Sequence, residues 1–589
     1  VRIANCSGFY GDRLSAATEM VDGGPIDYLT GDWLAELTML ILARTQDRRP
    51  GGGFARTFVT QMEQVMGTCL ERRIRVISNA GGLDPHACGE AVAAVADRLG
   101  LSPTIAVVTG DNLLDRLDQL AAAGVDFAHL ETGEPLGPER RAAMVSANAY
   151  LGCWGIVAAL GMGADIVITG RVTDAAVVMG PAAHAHGWAR DDWDALAGAC
   201  VAGHVIECGA QATGGNYSFF TEIADLTHPG FPIAEVAADG SSVITKHPGT
   251  GGQVSIGTVT SQLLYEIGSP KYMNPDVVAR FDTIALSNDG PDRVCISATR
   301  GEPAPATLKV GANYIGGYRN SFTFCLTGLD IEAKAELLDR QLWSHVEGGR
   351  DAFAEVRTQL VRTDHPDPAT NETATALYRV TVKDPDERTV GRAFSAVPIE
   401  LALASIPGFY GLGGPNQASP YGVFWPSAIA WDLCPQTVTV LGGATRVVEN
   451  TPPVSAPPVV VAAADPVAVP AGPSRRGPLG AVVGTRSGDK GGTANLGVFA
   501  RSAPAYAWLV DFLTVHRLRQ LLPVETAGRE ILRYELPNLW SLNFLLVGLL
   551  EQGVAASSRL DPQAKSLGEY LRAKVVDIPA EIVGVGPLH

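Results

Sequence analysis

The sequence predicts an α/β fold: a Rossmann-like parallel sheet with helices on both faces, then a mixed α+β region, then a small ferredoxin-like α+β domain. Three observations predict it. Residues 1 to about 190 alternate short β-branched runs with helical patterns, and each run closes in Gly beside a polar residue. From about 200 to 450 the texture changes to short strands with many glycines. Beyond a Pro- and Ala-rich stretch, the chain returns to a compact alternation of strands and helices around one polar glycine loop.

Each element has its own signal. Val1 to Asn5 reads as a strand. Arg73 to Asn79 leads into Gly81-Gly82 and a helix from Pro85 to Leu99. Thr104 to Thr109 leads into Gly110-Asp111-Asn112 and a helix ending near Gly124, and Ala164 to Thr169 leads into Gly170-Arg171-Val172-Thr173-Asp174 and a further helix. In such sheets ligands bind beyond the carboxyl ends of the strands, which here carry Asn5 to Arg13, Asn79, Asp111, Asn112, Arg171 and Asp174. The boundaries follow: a core over 1–450, divided into 1–195 and 196–450, a linker over 451–478, and a final domain over 479–589. In that domain we expect a strand to about Gly484, the glycine loop, a strand over Leu496 to Ala500 and a helix over Ala505 to Leu522. A strand over Ile531 to Leu536, a helix over Leu539 to Gln552 and a terminal pair beyond Leu567 complete it.

Composition narrows the function. With 589 residues, 46% hydrophobic and 18% charged, the chain can bury substantial cores. A net charge of -17 argues against nucleic acid, because phosphate neutralisation needs clustered Lys and Arg. The nine cysteines are scattered, with no C-x-x-C, which suits reduced thiols in a cytoplasmic protein. No signal peptide and no membrane span is expected, and the size and apolar content suggest a homo-oligomer.

Familiar cofactor signatures fail. Gly249-Thr250-Gly251 begins like a dinucleotide loop, but Val254 stands where the third glycine belongs, and no P-loop, nucleophile elbow or H-E-x-x-H occurs. No cofactor is expected. Asp84, His86, Cys88 and Glu90 alternate along a helix and would scatter around it, so Asp84 reads as an N-cap before Pro85 and no metal is expected.

Five segments carry the polar chemistry. Lys246 to Gly252 places Lys246 and the amide of Gly251 in a glycine loop able to nest an anion. Arg171 and Asp174 sit at a strand end, where Arg171 can clamp a carboxylate or merely fix the turn through Asp174. Glu207, if buried, becomes a general base, with Asn216 in the Gly-Gly-Asn turn after it, while Cys208 reads as packing. Asn79 ends its own strand. Arg486-Ser487-Gly488-Asp489-Lys490-Gly491-Gly492-Thr493-Ala494-Asn495 sets Asp489 and Lys490 among three glycines, leaving Lys490 free to point at a ligand and Asn495 free to donate to an oxyanion. The bland alternative there is a surface ion pair.

The motifs Gly484-x-Arg486-Ser487-Gly488-Asp489-Lys490-Gly491 and Glu207-Cys208-Gly209-Ala210-Gln211-x-Thr213-Gly214-Gly215-Asn216 resemble the acyclic terpene utilisation family AtuA. Asn5-Cys6-Ser7-Gly8-Phe9-x-Gly11-Asp12, Asp27-Tyr28-Leu29-x-Gly31-Asp32, Asn79-Ala80-Gly81-Gly82 and Ile168-x-Gly170-Arg171-x-x-Asp174 extend the resemblance over almost the whole chain. The last domain looks like the ferredoxin-like piece that some members carry fused. The family is named for a gene cluster that degrades citronellol and geraniol through branched acyl-CoA thioesters, by carboxylation, hydration and lyase steps. The resemblance implies a cofactor-independent lyase or hydratase acting on an anionic branched carboxylate or CoA thioester. Arg171 would then hold the carboxylate, Lys490 or Glu207 would move the proton, and Asn79, Asn216 or Asn495 would steady the enolate oxygen. The other reading is a non-catalytic metabolite-binding or scaffold subunit of an acyl-CoA complex.

Overall fold

A computed structural model describes residues 1–48, 51–414, 416–461, 467–584 and 586; part of the expected linker, 462–466, lies outside the described residues. The chain forms two compact units, one of residues 1–313, 424–554 and 561–589, the other of residues 314–423 and 555–560.

The larger unit is built on a mixed sheet. At its centre Arg2–Asn5, Tyr28–Gly31, Arg75–Ser78, Ile166–Thr169 and Ile105–Thr109 lie parallel in that order. Pro232–Val236 joins the first of them antiparallel and Ser242–Lys246 pairs with it in turn, while Gln436–Val440 joins the other side, again antiparallel. The sheet is therefore mixed, where the early strand and helix alternation predicts a parallel one. The cause is local: crossover helices separate the first strands, whereas Pro232–Val236 and Ser242–Lys246 are joined by a tight turn, which permits only antiparallel pairing. The expected α+β region thus continues the first sheet.

Side-chain alternation covers both faces. Ala4, Leu29, Val76, Ile105 and Ile166 form one core with the helices Ala16–Asp22, Arg56–Arg72 and Pro85–Leu99. On the other face Gly155, in the helix Trp154–Gly161, comes so close to Val108 that a Cβ there would collide with it. The helix Trp193–Ile206 is buried along nearly its whole length. The helix over Pro85–Leu99 has the expected bounds because Asp84 accepts from the Ala87 amide at 3.0 Å and Gly100 closes it with φ +68°.

The C-terminal part of this unit is a small α+β sandwich. Its strands run Val483–Lys490, Thr493–Ala500, Ser541–Leu546 and Ile531–Leu536 across an antiparallel sheet. Three expectations change. Ser541–Leu546 is a strand rather than the start of a helix, since Leu542, Phe544 and Leu546 alternate into the core. The expected glycine loop is itself strand up to Lys490, and only Gly491-Gly492 turns, with φ +62° at Gly491. The expected helix over Ala505 to Leu522 is two, because Thr514 caps a second one through the Arg517 amide. Ser474–Pro478, at the end of the expected linker, pairs with Val575–Pro579.

The smaller unit has its own core. Residues 318–327 pair with 375–384, and Glu355–Val361 extends the sheet on the far side of that strand. The helices Ile331–His345 and Arg392–Glu400 cover it through Leu338, Leu342 and Phe394. Among the described residues no helix of the protein is long and apolar enough to cross a membrane.

Candidate active site

The carboxyl ends of the central strands converge. Asp32 follows Tyr28–Gly31, Asn79 follows Arg75–Ser78, Asp111 follows Ile105–Thr109, and Arg171 and Asp174 follow Ile166–Thr169. Glu207 arrives from the end of the helix Trp193–Ile206. Asp32, Asp174 and Glu207 each bring a carboxylate oxygen to within 4.8 Å of the other two.

Specific contacts hold this cluster. The Asn79 side-chain amide donates to Asp32 Oδ1 at 2.5 Å, and the Leu34 amide donates to the same oxygen at 3.0 Å. Asn79 Oδ1 in turn accepts from the Trp33 amide at 2.8 Å. Arg171 donates to Asp174 Oδ1 at 2.7 Å and to the Leu34 carbonyl at 2.9 Å, with its guanidinium 4.1 Å from the Tyr150 ring centre. The Arg171 amide donates to Asp111 at 2.8 Å, and a Cβ on Gly170 would overlap that carboxylate. Arg171 thus positions Asp174.

Burial sets the charges. Glu207 is 5% exposed, and desolvation first, then Asp174, Asp32 and Glu266, raise its pKa well above the ordinary carboxyl range. Its place at a helix carboxyl end acts in the same direction, since the dipole there disfavours a negative charge. Burial and Asp174 likewise push Asp32 up to about 8, and burial raises Asp111 to about 6. Burial opposes the charge of Arg171, but Asp174, Tyr150 and Asp32 overcome it and raise its pKa. His204, one helical turn before Glu207, is pushed down to about 4 by burial and by Lys490, and its Nδ1 lies 3.6 Å from Glu207 Oε1.

The C-terminal sandwich supplies the other wall. Its sheet presents Arg486, Gly488, Lys490, Asn495, Gly497 and Asn543 to residues 264–268, immediately after the helix Ile256–Leu263. A Cβ on Gly488 would stand 2.5 Å from the Tyr265 ring, so this glycine is needed for close approach. Asn495 Oδ1 accepts the Glu266 amide at 2.8 Å, and Lys490 Nζ donates to the Glu266 carbonyl at 3.2 Å. Glu266 itself is left-handed, with φ +55°.

Lys490 is exposed to solvent, and its Nζ reaches onto the turn at Glu266. Desolvation first and the nearby cation of Lys309 second lower its pKa, while Glu266, Glu36 and Asp174 pull the other way. Lys309 pairs with Glu36 at 2.9 Å and sits 4.8 Å from the Tyr150 ring centre. Desolvation opposes its charge, but Glu36 and Tyr150 outweigh that and its pKa is raised.

Other expected residues lie apart. Asp489 points to the opposite strand face, 3.6 Å from Lys565, and burial and Glu266 push it up to about 7 despite that cation. Asn216 lines a separate cleft of about 220 Å³ with Arg486, Lys565 and Glu569. Lys246 is taken up by the Thr250 carbonyl at 2.7 Å and Asp292 at 3.1 Å, in its own loop with Gly251. Burial raises Cys208 far above the usual thiol range. The structure thus brings together Arg171, Asp174, Asn79, Glu207 and Lys490, with Asn495 pinning the turn between them. Asp32, His204, Glu266, Lys309 and Glu36 were not singled out; for Asp32 the signal was present, since it follows a strand end within a quoted motif.

Comparison with known proteins agrees with this two-part construction. Residues 1–440 match the model of the acyclic terpene utilisation family protein AtuA, and residues 477–577 match that of the AtuA ferredoxin-like domain. No curated protein and no solved structure matches the chain.

Proposed function

The chain belongs to the acyclic terpene utilisation family AtuA, and from that premise we propose that it is a lyase of hydratase type acting on a branched-chain carboxylate or its acyl-CoA thioester. The observation that carries this reading is the pairing of unlike lysines: Lys309 stands 5.5 Å from the Phe424 ring centre, and Gly491, next to Lys490, adjoins the same ring. Lys309 keeps its charge beside Glu36, and burial first, then that charge, lower the pKa of Lys490. A neutral amine beside a fixed cation is suited to removing a proton α to a carbonyl, because the cation stabilises the enolate that forms.

The step balances with Lys490 alone. Its amine takes the α-proton of a 3-hydroxyacyl group, the electron pair closes the double bond, and hydroxide leaves from C3 with the proton returned by the new ammonium, giving an enoyl product and water. Hydration is the reverse. Arg171 and Asn79 would orient the carboxylates of Asp174 and Asp32 around the reacting atoms. Asn495 would keep the base in register through Glu266.

Purified protein incubated with unsaturated and 3-hydroxy branched acids and their CoA esters should add or lose water, or cleave, as followed by mass, and Lys490→Met should abolish the change. Tight binding of one compound with no turnover of any would replace this reading with the metabolite-binding subunit.

A further inference from the structure

The geometry points to a binding site for one hard divalent cation, Mg²⁺ or Mn²⁺, held by Asp32, Asp174 and Glu207. The three oxygens come from three separate elements and lie within 4.8 Å of one another. Oxygens around one such ion at about 2.1 Å stand roughly 3 to 4.2 Å apart, so a small side-chain rotation closes the set. The donors are oxygens only, which suits these ions over softer metals.

The supports are arranged as outer partners of metal ligands are. Asn79 and the Leu34 amide occupy Oδ1 of Asp32, and Arg171 occupies Oδ1 of Asp174. Among the described residues no hydrogen bond falls on Oδ2 of either. Glu207 Oε2 is buried without any partner, and so are both ring nitrogens of His204, a side chain 1% exposed whose Nδ1 faces Glu207 Oε1 at 3.6 Å. Unpaired buried polar atoms are costly, and Glu207 Oε2 with His204 Nδ1 beside that carboxylate indicate a missing ligand. Charge agrees: once an ion displaces the protons from these ligands, three carboxylates with Arg171 carry two negative charges, which one divalent ion neutralises. Lys490 does not fill the place, since its Nζ donates to the Glu266 carbonyl. The cation's chemical role, polarising the enolate oxygen, rests on the reaction proposed above; its binding does not.

The test uses the full chain, stripped with a chelator and titrated with Mn²⁺ alone by electron paramagnetic resonance and calorimetry. One Mn²⁺ per chain should bind, Mg²⁺ should compete, and the ion should raise the melting temperature reversibly. Asp32→Asn and Glu207→Gln should each weaken binding by at least roughly tenfold, while Glu63→Gln, at an exposed surface pair with Arg98, should not. Anomalous diffraction from crystals grown with Mn²⁺ needs no variant and should place the ion among the three carboxylates. No bound Mn²⁺ at millimolar concentration, binding indifferent to both ligand changes, or an ion found elsewhere would overturn the site. Mn²⁺ bound with no turnover of any substrate would leave the site standing and remove the proposed reaction; turnover in chelator with no Mn²⁺ bound would do the opposite.

Discussion

Lys490 and Asn495 grip the same residue from one sheet: Asn495 accepts the Glu266 amide and Lys490 donates to the Glu266 carbonyl. The base of the proposed reaction is therefore aimed by a turn of the core rather than by its own domain. Asn495 is fixed in turn by donating its side-chain amide to Asn543 Oδ1, and Asn543 donates to the Gly268 carbonyl at 2.7 Å. Asn495→Ala should leave the Glu266 amide unpaired and cost about 1–3 kcal/mol. Urea unfolding measures it, and turnover should fall further than stability alone explains.

Lys490→Met should lower turnover by about 10² to 10⁴ with little change in fold, the usual range for removing a general base. A loss below about tenfold would assign proton transfer elsewhere.

The pH profile should identify the base. Lys490 acts as the free amine, so the elimination rate should rise with pH and level off below the ordinary lysine range, because burial and Lys309 lower its pKa. Lys309→Met removes the second of these causes and leaves Glu266, Glu36 and Asp174 facing Lys490. The midpoint should then move to higher pH. A midpoint unmoved, or moved lower, would separate the two lysines.

Asp489 makes stability depend on pH. Its folded pKa of about 7 lies above the value of about 3.9 for an unfolded chain. A group raised in this way contributes its full stability below the lower value and loses it as pH rises through the higher. Asp489→Asn should therefore be more stable than the parent at pH 8, by on the order of 1–3 kcal/mol, and equal to it near pH 4. The reverse order at pH 8 would mean that attraction to Lys565 prevails over burial.

Much of this was legible because some signals are local. Asp84, Pro85 and Gly100 mark both ends of their helix, and strand ends mark Asn79, Arg171 and Asp174. Asp32 follows Tyr28–Gly31, which lacks the β-branched run that marks Arg75–Ser78 and Ile166–Thr169 as strands. Lys309, Glu36 and Glu266 acquire meaning only through partners far along the chain, and no window of sequence contains both members of such a pair. The strand Ser541–Leu546 escaped because its leucines continue into Leu549 and Leu550, which imitates a helical stripe.

The segment joining the two family pieces is anchored where it leaves the core: Thr451 donates to Asp276, and the Val459 carbonyl accepts from Arg280 at 3.1 Å. Since Lys490 lies beyond it and the three carboxylates before it, the tether makes the assembly of one site from two halves an intramolecular event. Cut there, the halves become separate components that must find each other by mass action, and activity would become a measure of their affinity.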